Sequence, residues 1–385
     1  MEVTGMTEQK SLSWSFYGWI AVVVAGLSIG IWGAVTLLSN GHATTGTGDQ
    51  IPWGIFVPGY VFFVAASAGC VIVSLGYALG ITRLELVMKR AVFLAIVTLV
   101  AGGILILLDL GSPQKVFYFI ISPNFQSPMW WMSVFYILLY LTLLLIEFYF
   151  IHTGNVKRLR MLSIIVALSA IAVHSTLGAI FGFAFARTYF GGAFAPVYFI
   201  LIAVVIGTAL LLFVTILQYK LTRTTMSREL HKLVLDLGKF LGVVVGVTIF
   251  FTIWRDLAGI RSTIATTSLA YEHILSAWWY WVIVILMGLI IPLFLLYNPK
   301  TRNINGIIVS SILVLVGMFA ARLEYTLGGQ IVPVLQGLKH LGYPLGSYSS
   351  TFVEIAVVIL AFAVSALLYT LGTRKLALEE VPHHD

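Results

Sequence analysis

The sequence predicts an all-α integral membrane protein with ten transmembrane helices, and two observations lead to this prediction. Hydrophobic residues make up 60% of the 385 positions, charged residues make up 10%, and the mean hydropathy is +1.01. A soluble globular chain carries about 25% charged residues, so lipid must be the solvent for most of this surface. The apolar residues also form runs that reach the ~20 residues needed to cross a bilayer as a helix.

Ten such runs follow one another along the chain. They are residues 17–39, 55–80, 90–108, 127–150, 160–185, 196–219, 232–254, 274–297, 304–322 and 350–372. The first run is longer than the core of a signal peptide and has no A-x-A cleavage site, so we expect it to be retained as a helix. We expect a single transmembrane domain over residues 1–385.

The connections between the runs alternate between two kinds, and this alternation predicts the orientation. One set, together with both tails, is short and holds most of the 22 Lys and Arg residues. In or next to the other set lie Lys115, Arg187, Arg255, Arg261, Arg322 and Lys339. Basic residues near membrane spans favour the cytoplasmic side, so both termini are expected in the cytoplasm of a protein of the inner membrane. This topology explains the net positive charge without a nucleic-acid partner.

The connections of the second set are long and rich in Gly, Pro and aromatic residues. They cover 40–54, 109–126, 255–273 and 323–349. Long loops in a compact domain tend to be functional, so we expect chemistry and partner binding on the outer face. The stretch Leu108–Trp131 combines an acid, three prolines and two tryptophans. It is typical of a re-entrant or interfacial loop above a pocket between helices.

Ionisable residues inside the runs are costly in lipid and are therefore candidate functional residues. Asp109 is either a helix end wetted by headgroups or a proton acceptor beside a redox ligand. His174, in the middle of the fifth run, is either an imidazole bonded to a neighbouring helix or a functional group. Glu147, near the cytoplasmic end of the fourth run, either snorkels to the interface or takes part in proton transfer.

Three further charged residues in the runs have simpler interpretations. Asp236 and Lys239 are three positions apart, so they are expected to form a structural ion pair on one helix face. Glu354 begins the tenth run at the outer face.

The metal-ligand inventory excludes several cofactors. Cys70 is the single cysteine, which excludes a cysteine-ligated iron–sulfur cluster or zinc site within this chain. A transmembrane haem usually needs two axial ligands at matching depth on different helices. His174 alone among the eight histidines lies deep in a run, so no haem is expected in the chain.

Aromatic residues suggest a binding slot near the outer face. Trp53 lies in a Pro-Trp-Gly segment before the second run, with Tyr60 within that run. Trp130 and Tyr136 lie early in the fourth run. Together they could wall a flat apolar slot for a quinone ring, with Asp109 at its rim and the isoprenoid tail leaving into lipid.

Several segments resemble one known family. They are PWGIFVPGYVFFVAASAG (52–69), Arg90, LDLGSP (108–113), SPMWW (127–131), HSTLGAIFGF (174–183) and ARLEYTLGGQIVP (321–333). Their order and spacing resemble the NrfD/PsrC family (polysulfide reductase membrane subunits), over nearly the whole chain. Ten spans resemble its longer branch, which includes the HybB, DsrP and alternative complex III membrane subunits. The family often has Arg after the glycine of the Asp-Leu-Gly motif, where this chain has Ser112.

The resemblance implies a quinone-reactive membrane anchor of a respiratory redox complex. It implies a first four-helix bundle over 55–186 with the quinone site, a second over 196–322, and flanking helices at 17–39 and 350–372. It implies no prosthetic group in this chain, menaquinone or another quinone as bound substrate, and a ferredoxin-like iron–sulfur subunit docked outside. Further redox subunits, of cytochrome, molybdoenzyme or hydrogenase type, are expected. The implied pocket residues are Trp53, Tyr60, Asp109, Asn124, Trp130 and Tyr136, with His174 at its floor or on a proton route.

Two alternatives stay open at this point. Ten spans with scattered acids also suit a secondary transporter or another ion-translocating protein, although paired broken helices typical of such sites are not evident. A combination is a redox site with a water-linked proton path through Glu147, His174 and Asp109, which lie at decreasing depth on adjacent helices.

Overall fold

A computed structural model describes residues 14–154, 156–334, 344–376 and 378, and these residues form helices and connections without a strand. The α-helices are α1 (Trp14–Asn40), α2 (Phe56–Ala78), α3 (Glu85–Asp109), α4 (Tyr118–Ile121), α5 (Pro128–Ser133), α6 (Thr142–His152), α7 (Val156–Gly182), α8 (Phe194–Thr222), α9 (Arg228–Ile260), α10 (Ala265–Ser276), α11 (Ile291–Tyr297), α12 (Ile304–Ile331) and α13 (Phe352–Lys375). Two π-helical segments, Val134–Leu141 and Tyr280–Ile290, precede α6 and α11.

The helices confirm the predicted all-α membrane fold. In the described part of the chain, nine helical stretches are long and apolar enough to cross a membrane. A shorter apolar helix, Leu139–His152, belongs to the predicted fourth run. In that run α5, the first π-helical segment and α6 follow one another without a break from Pro128 to His152. The predicted fourth run is therefore helical throughout, with a π-helical middle.

Helix α2 lies at the centre of the molecule. It packs most extensively against α3, α8 and α7, and nearly all of its residues are buried. Its crossing with α8 depends on small residues, because a Cβ atom on Gly69 would lie 1.8 Å from the Ala203 carbonyl oxygen. A Cβ atom on Gly207 would likewise lie 2.2 Å from the Gly69 backbone. Small residues at both positions let the two backbones approach closely, as in other membrane helix pairs.

The flanking helices α1 and α13 pack against each other in antiparallel fashion. The Trp19 indole donates a hydrogen bond to the Thr370 hydroxyl at 2.9 Å near one end of the pair. Near the other end, Gly33 of α1 faces Ala356 of α13. We call the end with Trp14 and Lys375 the terminal face and the opposite end, where α3 ends and α2 begins, the loop face.

Two predicted outer loops are shorter than the sequence indicates. Helix α9 continues to Ile260 and α10 fills most of the remaining loop, whereas the sequence interpretation ended the seventh run at residue 254. Helix α12 continues to Ile331 rather than ending at residue 322. The predicted ends were wrong because Arg255 was taken as the first residue of a loop and Arg322 as the last residue of a span, whereas both are buried inside helices. Lys339 lies outside the described residues.

The predicted division into two four-helix bundles stays a prediction. In the first group, α2, α3, α6 and α7 form a closed ring of neighbours. In the second group, α8, α9, α11 and α12 do the same. However, α2 and α7 also pack extensively on α8, so the two groups share a continuous core.

Candidate functional site

The two tyrosines predicted for the quinone slot face each other inside the molecule. The ring centroids of Tyr60, on α2, and Tyr136, on the first π-helical segment, are 6.1 Å apart. Tyr60 is buried, and the Tyr136 hydroxyl donates a hydrogen bond to the Leu99 carbonyl of α3. π-Helical segments are rare and occur frequently at functional sites. The pair therefore marks the interface of α2, α3 and the π-helical segment as the first candidate site.

Further polar groups continue along this interface towards the terminal face. The hydroxyls of Ser67 and Tyr140 are hydrogen-bonded at 2.9 Å and both residues are buried. Glu147 follows Tyr140 by about two helical turns. We call Tyr60, Tyr136, Ser67, Tyr140 and Glu147 the polar seam. Phenol and alcohol hydroxyls can each donate and accept a hydrogen bond, so such a seam suits proton relay within an apolar helix bundle.

Glu147 is the acid at the deep end of the polar seam. Its side chain is 0% exposed, and neither carboxylate oxygen has a hydrogen-bond partner among the described residues. The Ser163 hydroxyl lies next to it, but donates to the Leu159 carbonyl at 3.0 Å. Snorkelling to the interface, one of the two interpretations of the sequence, does not occur. A buried acid without such partners is costly, which makes Glu147 a strong functional candidate.

Asp109 lies above the polar seam at the loop face. It is the last residue of α3 and is half-buried. Gly102 of the same helix touches Tyr60, and Leu99 accepts the hydrogen bond of Tyr136. The seven to ten residues between these positions and Asp109 correspond to about 10–15 Å along the helix axis. Asp109 and the tyrosine pair therefore lie at opposite ends of a stretch of α3.

The other predicted pocket residues lie in different surroundings. The Trp53 ring packs against Phe181 and Phe190, with ring centroids 5.4 and 6.3 Å away. The Trp130 indole donates to the Phe119 carbonyl at 2.7 Å and so anchors the segment before α5. Asn124 is exposed, and its side chain accepts from the Gln126 amide at 3.2 Å. The structure thus brings together Tyr60 and Tyr136 but not all six residues.

Glu354 organises the loops around this face. Its carboxylate accepts hydrogen bonds from the Gly46 amide at 2.8 Å, the Thr351 amide at 2.9 Å and the Tyr348 hydroxyl at 2.7 Å. Burial raises the pKa of the Tyr348 phenol, so the hydroxyl stays protonated and donates. The Tyr348 hydroxyl oxygen also accepts a hydrogen bond from the Ile55 amide at 2.9 Å. Glu354 thus fixes the segment that leads into α2.

His174 lies beside an arginine that the sequence interpretation placed at the outer end of the ninth run. The imidazole ring is 5.7 Å from the Phe199 ring, and the Arg322 guanidinium lies 4.2 Å from the same ring centroid. Both imidazole nitrogens, and Nε and one Nη of Arg322, have no hydrogen-bond partner among the described residues. His174 and Ser163 are eleven residues apart on α7, about 16 Å, so His174 is not in contact with the Glu147 end of the polar seam.

A second buried polar group forms where α9, α12 and the second π-helical segment meet. Arg255 bonds to Glu324 at 3.1 Å and to Asp256 at 2.9 Å. The Tyr189 hydroxyl donates to Glu324 and the Tyr280 hydroxyl donates to Asp256. Burial raises the pKa of Tyr189 well above its ordinary value, so its hydroxyl stays protonated. We call these five residues the arginine cluster.

The sequence interpretation missed the arginine cluster as a structural feature. A usable signal was present, because no proline interrupts the stretch from Arg322 to Val332 and its one acid, Glu324, follows Arg322 by two residues. By contrast, the predicted pair of Asp236 and Lys239 is confirmed at 3.7 Å, with Arg83 also 3.4 Å from Asp236. No group of three or more His, Cys, Asp or Glu within the described ranges is arranged to hold a metal ion.

Comparison with known proteins gives consistent results over most of the chain. Residues 43–334 match the family described as Polysulphide reductase, NrfD. The chain is 29% identical to a Halobacterium salinarum protein assigned provisionally as a membrane subunit of dimethyl sulfoxide reductase, covering 94% of this chain and 91% of that protein. It is 24% identical to a selenate reductase subunit of Mesobacillus selenatarsenatis, covering 93% and 94%. It is 26% identical to the Hdr-like menaquinol oxidoreductase integral membrane subunit of Archaeoglobus fulgidus, covering 94% and 93%.

Proposed function

This chain belongs to the polysulphide reductase NrfD family, and from that premise we propose that it is the quinone-reactive membrane anchor subunit of a respiratory redox complex. It exchanges electrons between a membrane quinone, of menaquinone or another type, and a redox subunit docked at the loop face. A relative is named as a menaquinol oxidoreductase membrane subunit, and two others are named as subunits of reductases.

The observation that carries this proposal is the arrangement of Asp109 above the tyrosine pair. Seven residues of α3 separate Asp109 from the Tyr60 level at Gly102, or about 10 Å. A quinone ring that accepts a hydrogen bond at each of its two carbonyl oxygens spans a comparable distance between the two donor atoms. A bound quinone supplies two-electron chemistry that takes up or releases protons. Asp109 would then exchange a proton at one carbonyl, while the Tyr60 hydroxyl orients the other.

The remaining pocket residues have supporting roles in this proposal. Trp130 and Asn124 shape the segment that roofs the site, since their bonds fix the turn before α5. Trp53 fixes the start of α2 through the two hydrogen bonds between its backbone and the Gln330 side chain, at 2.9 and 3.1 Å. His174 is assigned to the deep floor or to a proton route.

Proton movement along the polar seam is a further part of the proposal. Tyr140, Ser67 and Glu147 continue from the tyrosine pair towards the terminal face. Water between these groups would link Glu147 to the quinone site. Basic residues are concentrated at the terminal face, so by the positive-inside rule both termini are cytoplasmic and protons would enter from that side. A ferredoxin-like iron–sulfur subunit, with a cytochrome, molybdoenzyme or hydrogenase beyond it, would then dock outside.

Replacing Asp109 by Asn tests the site directly. We expect quinone-linked electron transfer by the complex in proteoliposomes to fall by about 10²-fold or more, because a positioned acid–base group contributes about that much. Co-purification of the partner subunits should be unchanged. The matched control is Asp49→Asn, an exposed acid in a loop of the same face, which should keep near-normal turnover. Normal turnover in Asp109→Asn would remove this residue from the site.

Ion translocation without redox chemistry is the second candidate. Buried polar atoms of Glu147, His174 and Arg322 that have no hydrogen-bond partner in the described part of the chain favour it, because such groups mark ion pathways in membrane proteins. Purification from native membranes separates the two candidates. Stable redox subunits and quinone-dependent turnover support the anchor function, whereas an isolated chain that moves ions without quinone supports translocation alone.

A further inference from the structure

A long groove opens between the flanking pair and the main helices. Its volume is about 940 Å³, near the upper end of the 300–1,000 Å³ typical of ligand-binding cavities. Helices α1 and α13 form one wall, and α2, α3, α8 and α12 form the other. Most of its lining is apolar and includes Val22, Phe62, Phe213, Phe319 and Phe362.

The charged and amide side chains that line the groove lie at one end. Its lining runs along α13 from Ile355, near the loop face, to Arg374 at the terminal face, about 29 Å of helix. That length matches the ~30 Å hydrocarbon core of a bilayer. Gln218, Thr222 and Thr373 line the groove beside Arg374, whereas Ile55 and Ile355 line the opposite end. The groove therefore has the polarity of a lipid whose headgroup lies at the terminal face.

The polar end is built from ordered side chains. The Arg374 guanidinium lies 4.0 Å from the centroid of the Phe16 ring. Stacking uses the flat face of a guanidinium, and its N–H groups project from the edge in the geometry that binds phosphate. Trp19, another lining residue, is held by its hydrogen bond to Thr370. Tryptophan and arginine at this depth are characteristic of the headgroup region.

We propose that this groove is a binding site for an anionic phospholipid of the leaflet at the terminal face. The phosphate binds Arg374, and an acyl chain fills the apolar length between the flanking pair and α2, α8 and α12. One lipid spans half of a 40–45 Å bilayer, or roughly three quarters of the groove. The lipid lies beside the ring of Phe362, which contacts Phe63 and Phe319 at 4.8 and 6.0 Å, and so adds to the packing of α13 on the main helices.

A quinone fits this groove less well. Its head group would need the polar end, which lies at the face opposite Asp109. The walls of the groove also do not include Tyr60, Tyr136 or Asp109. The lipid site is thus separate from the proposed redox site, and the inference does not depend on the proposed function.

Native mass spectrometry of the full chain, purified from native membranes in mild detergent, tests this inference. We expect a retained anionic phospholipid in the wild type. Arg374→Gln should lower the ratio of lipid-bound to lipid-free protein about fivefold, the equivalent of the ~1 kcal/mol that one basic residue contributes near an anionic lipid surface. The control Arg158→Gln removes an exposed arginine of the same face that does not line the groove and should retain the lipid.

A second variant tests the apolar part of the site. Ala366 lines the groove, so Ala366→Phe should exclude the acyl chain and remove the lipid while leaving a monodisperse protein. Adding anionic phospholipid after delipidation should raise the unfolding temperature of the wild type, but not of Ala366→Phe. Equal lipid retention in wild type, Arg374→Gln and Ala366→Phe would overturn the proposal. So would retention of only zwitterionic lipid or of a quinone whose loss follows Ala366→Phe.

Discussion

Glu147 and Glu324 are both completely buried, yet their surroundings differ in kind. Glu324 accepts a hydrogen bond from Tyr189 and forms an ion pair with Arg255 at 3.1 Å. Glu147 has no hydrogen-bond partner for either carboxylate oxygen among the described residues. Each acid lies near a π-helical segment that supplies tyrosines, Tyr140 in one case and Tyr280 in the other. A π-helical segment thus borders each of the two polar regions.

The difference indicates a division of roles between the polar seam and the arginine cluster. Buried polar groups that are fully bonded can hold helices in place, whereas a buried group left without bonds is costly and persists for another reason. We therefore interpret the arginine cluster as structural and the polar seam as functional. Variants in both regions test that interpretation, and the largest effect is expected at Arg255.

Arg255→Met should destabilise the protein by about 3–5 kcal/mol, because it leaves the buried charge of Glu324 without its partner. Unfolding in detergent, followed by circular dichroism, measures the change. The control is Arg261→Met, an exposed arginine just after α9, which should change stability by less than about 0.5 kcal/mol.

The double variant Arg255→Met with Glu324→Leu sharpens this test. Replacing a whole buried ion pair by apolar residues is often neutral, so most of the lost stability should return. Equal destabilisation in the single and double variants would contradict the assignment of the lost stability to the unpaired acid.

Glu147→Gln should lower quinone-linked turnover at least tenfold without lowering the unfolding temperature. The variant keeps the size of a side chain whose oxygens have no hydrogen-bond partner among the described residues, but it ends proton exchange at the deep end of the polar seam. The matched control is Glu272→Gln, which changes an exposed acid on α10 and should affect neither property. A destabilisation as large as that of Arg255→Met would show that Glu147 is structural after all.

Two tyrosine variants compare the regions at the level of single hydrogen bonds. Tyr189→Phe removes a bond to a carboxylate and should cost about 1.5–3 kcal/mol, whereas Tyr140→Phe removes a neutral bond to Ser67 and should cost about 0.5–1.5 kcal/mol. Equilibrium unfolding of both variants in the same detergent gives the comparison. A larger loss in Tyr140→Phe would reverse the proposed roles.

The smallest effect is expected at the ion pair of Asp236 and Lys239. Both side chains are about half exposed and 3.7 Å apart, and exposed pairs contribute about 0–1 kcal/mol. Asp236→Asn should therefore change the unfolding free energy by less than about 1 kcal/mol. Its turnover should be normal, and a strong loss of activity would show that this pair has a role beyond packing.

The outcome for individual residues shows how far sequence reasoning extends. The pairing of Asp236 with Lys239 was predictable because the two residues are neighbours on one helix. The sequence placed Tyr60 and Tyr136 in one slot but did not predict their contact. Their distance from Asp109 along α3 became known only from the packing of the helices. The helices that hold Arg255 and Arg322 were ended too early, because a charged residue after a long apolar run resembles in sequence the end of a span.

The sequence by itself determined the solvent, the helical class and the family of this protein. Composition requires lipid around most of the surface, and in lipid each spanning segment must satisfy its own backbone hydrogen bonds as a helix. Only the tertiary structure decided which buried charges are neutralised. Arg255 and Glu324 are 69 positions apart, and their contact depends on which faces of α9 and α12 meet. The same packing leaves Glu147 and His174 without bonding partners among the described residues.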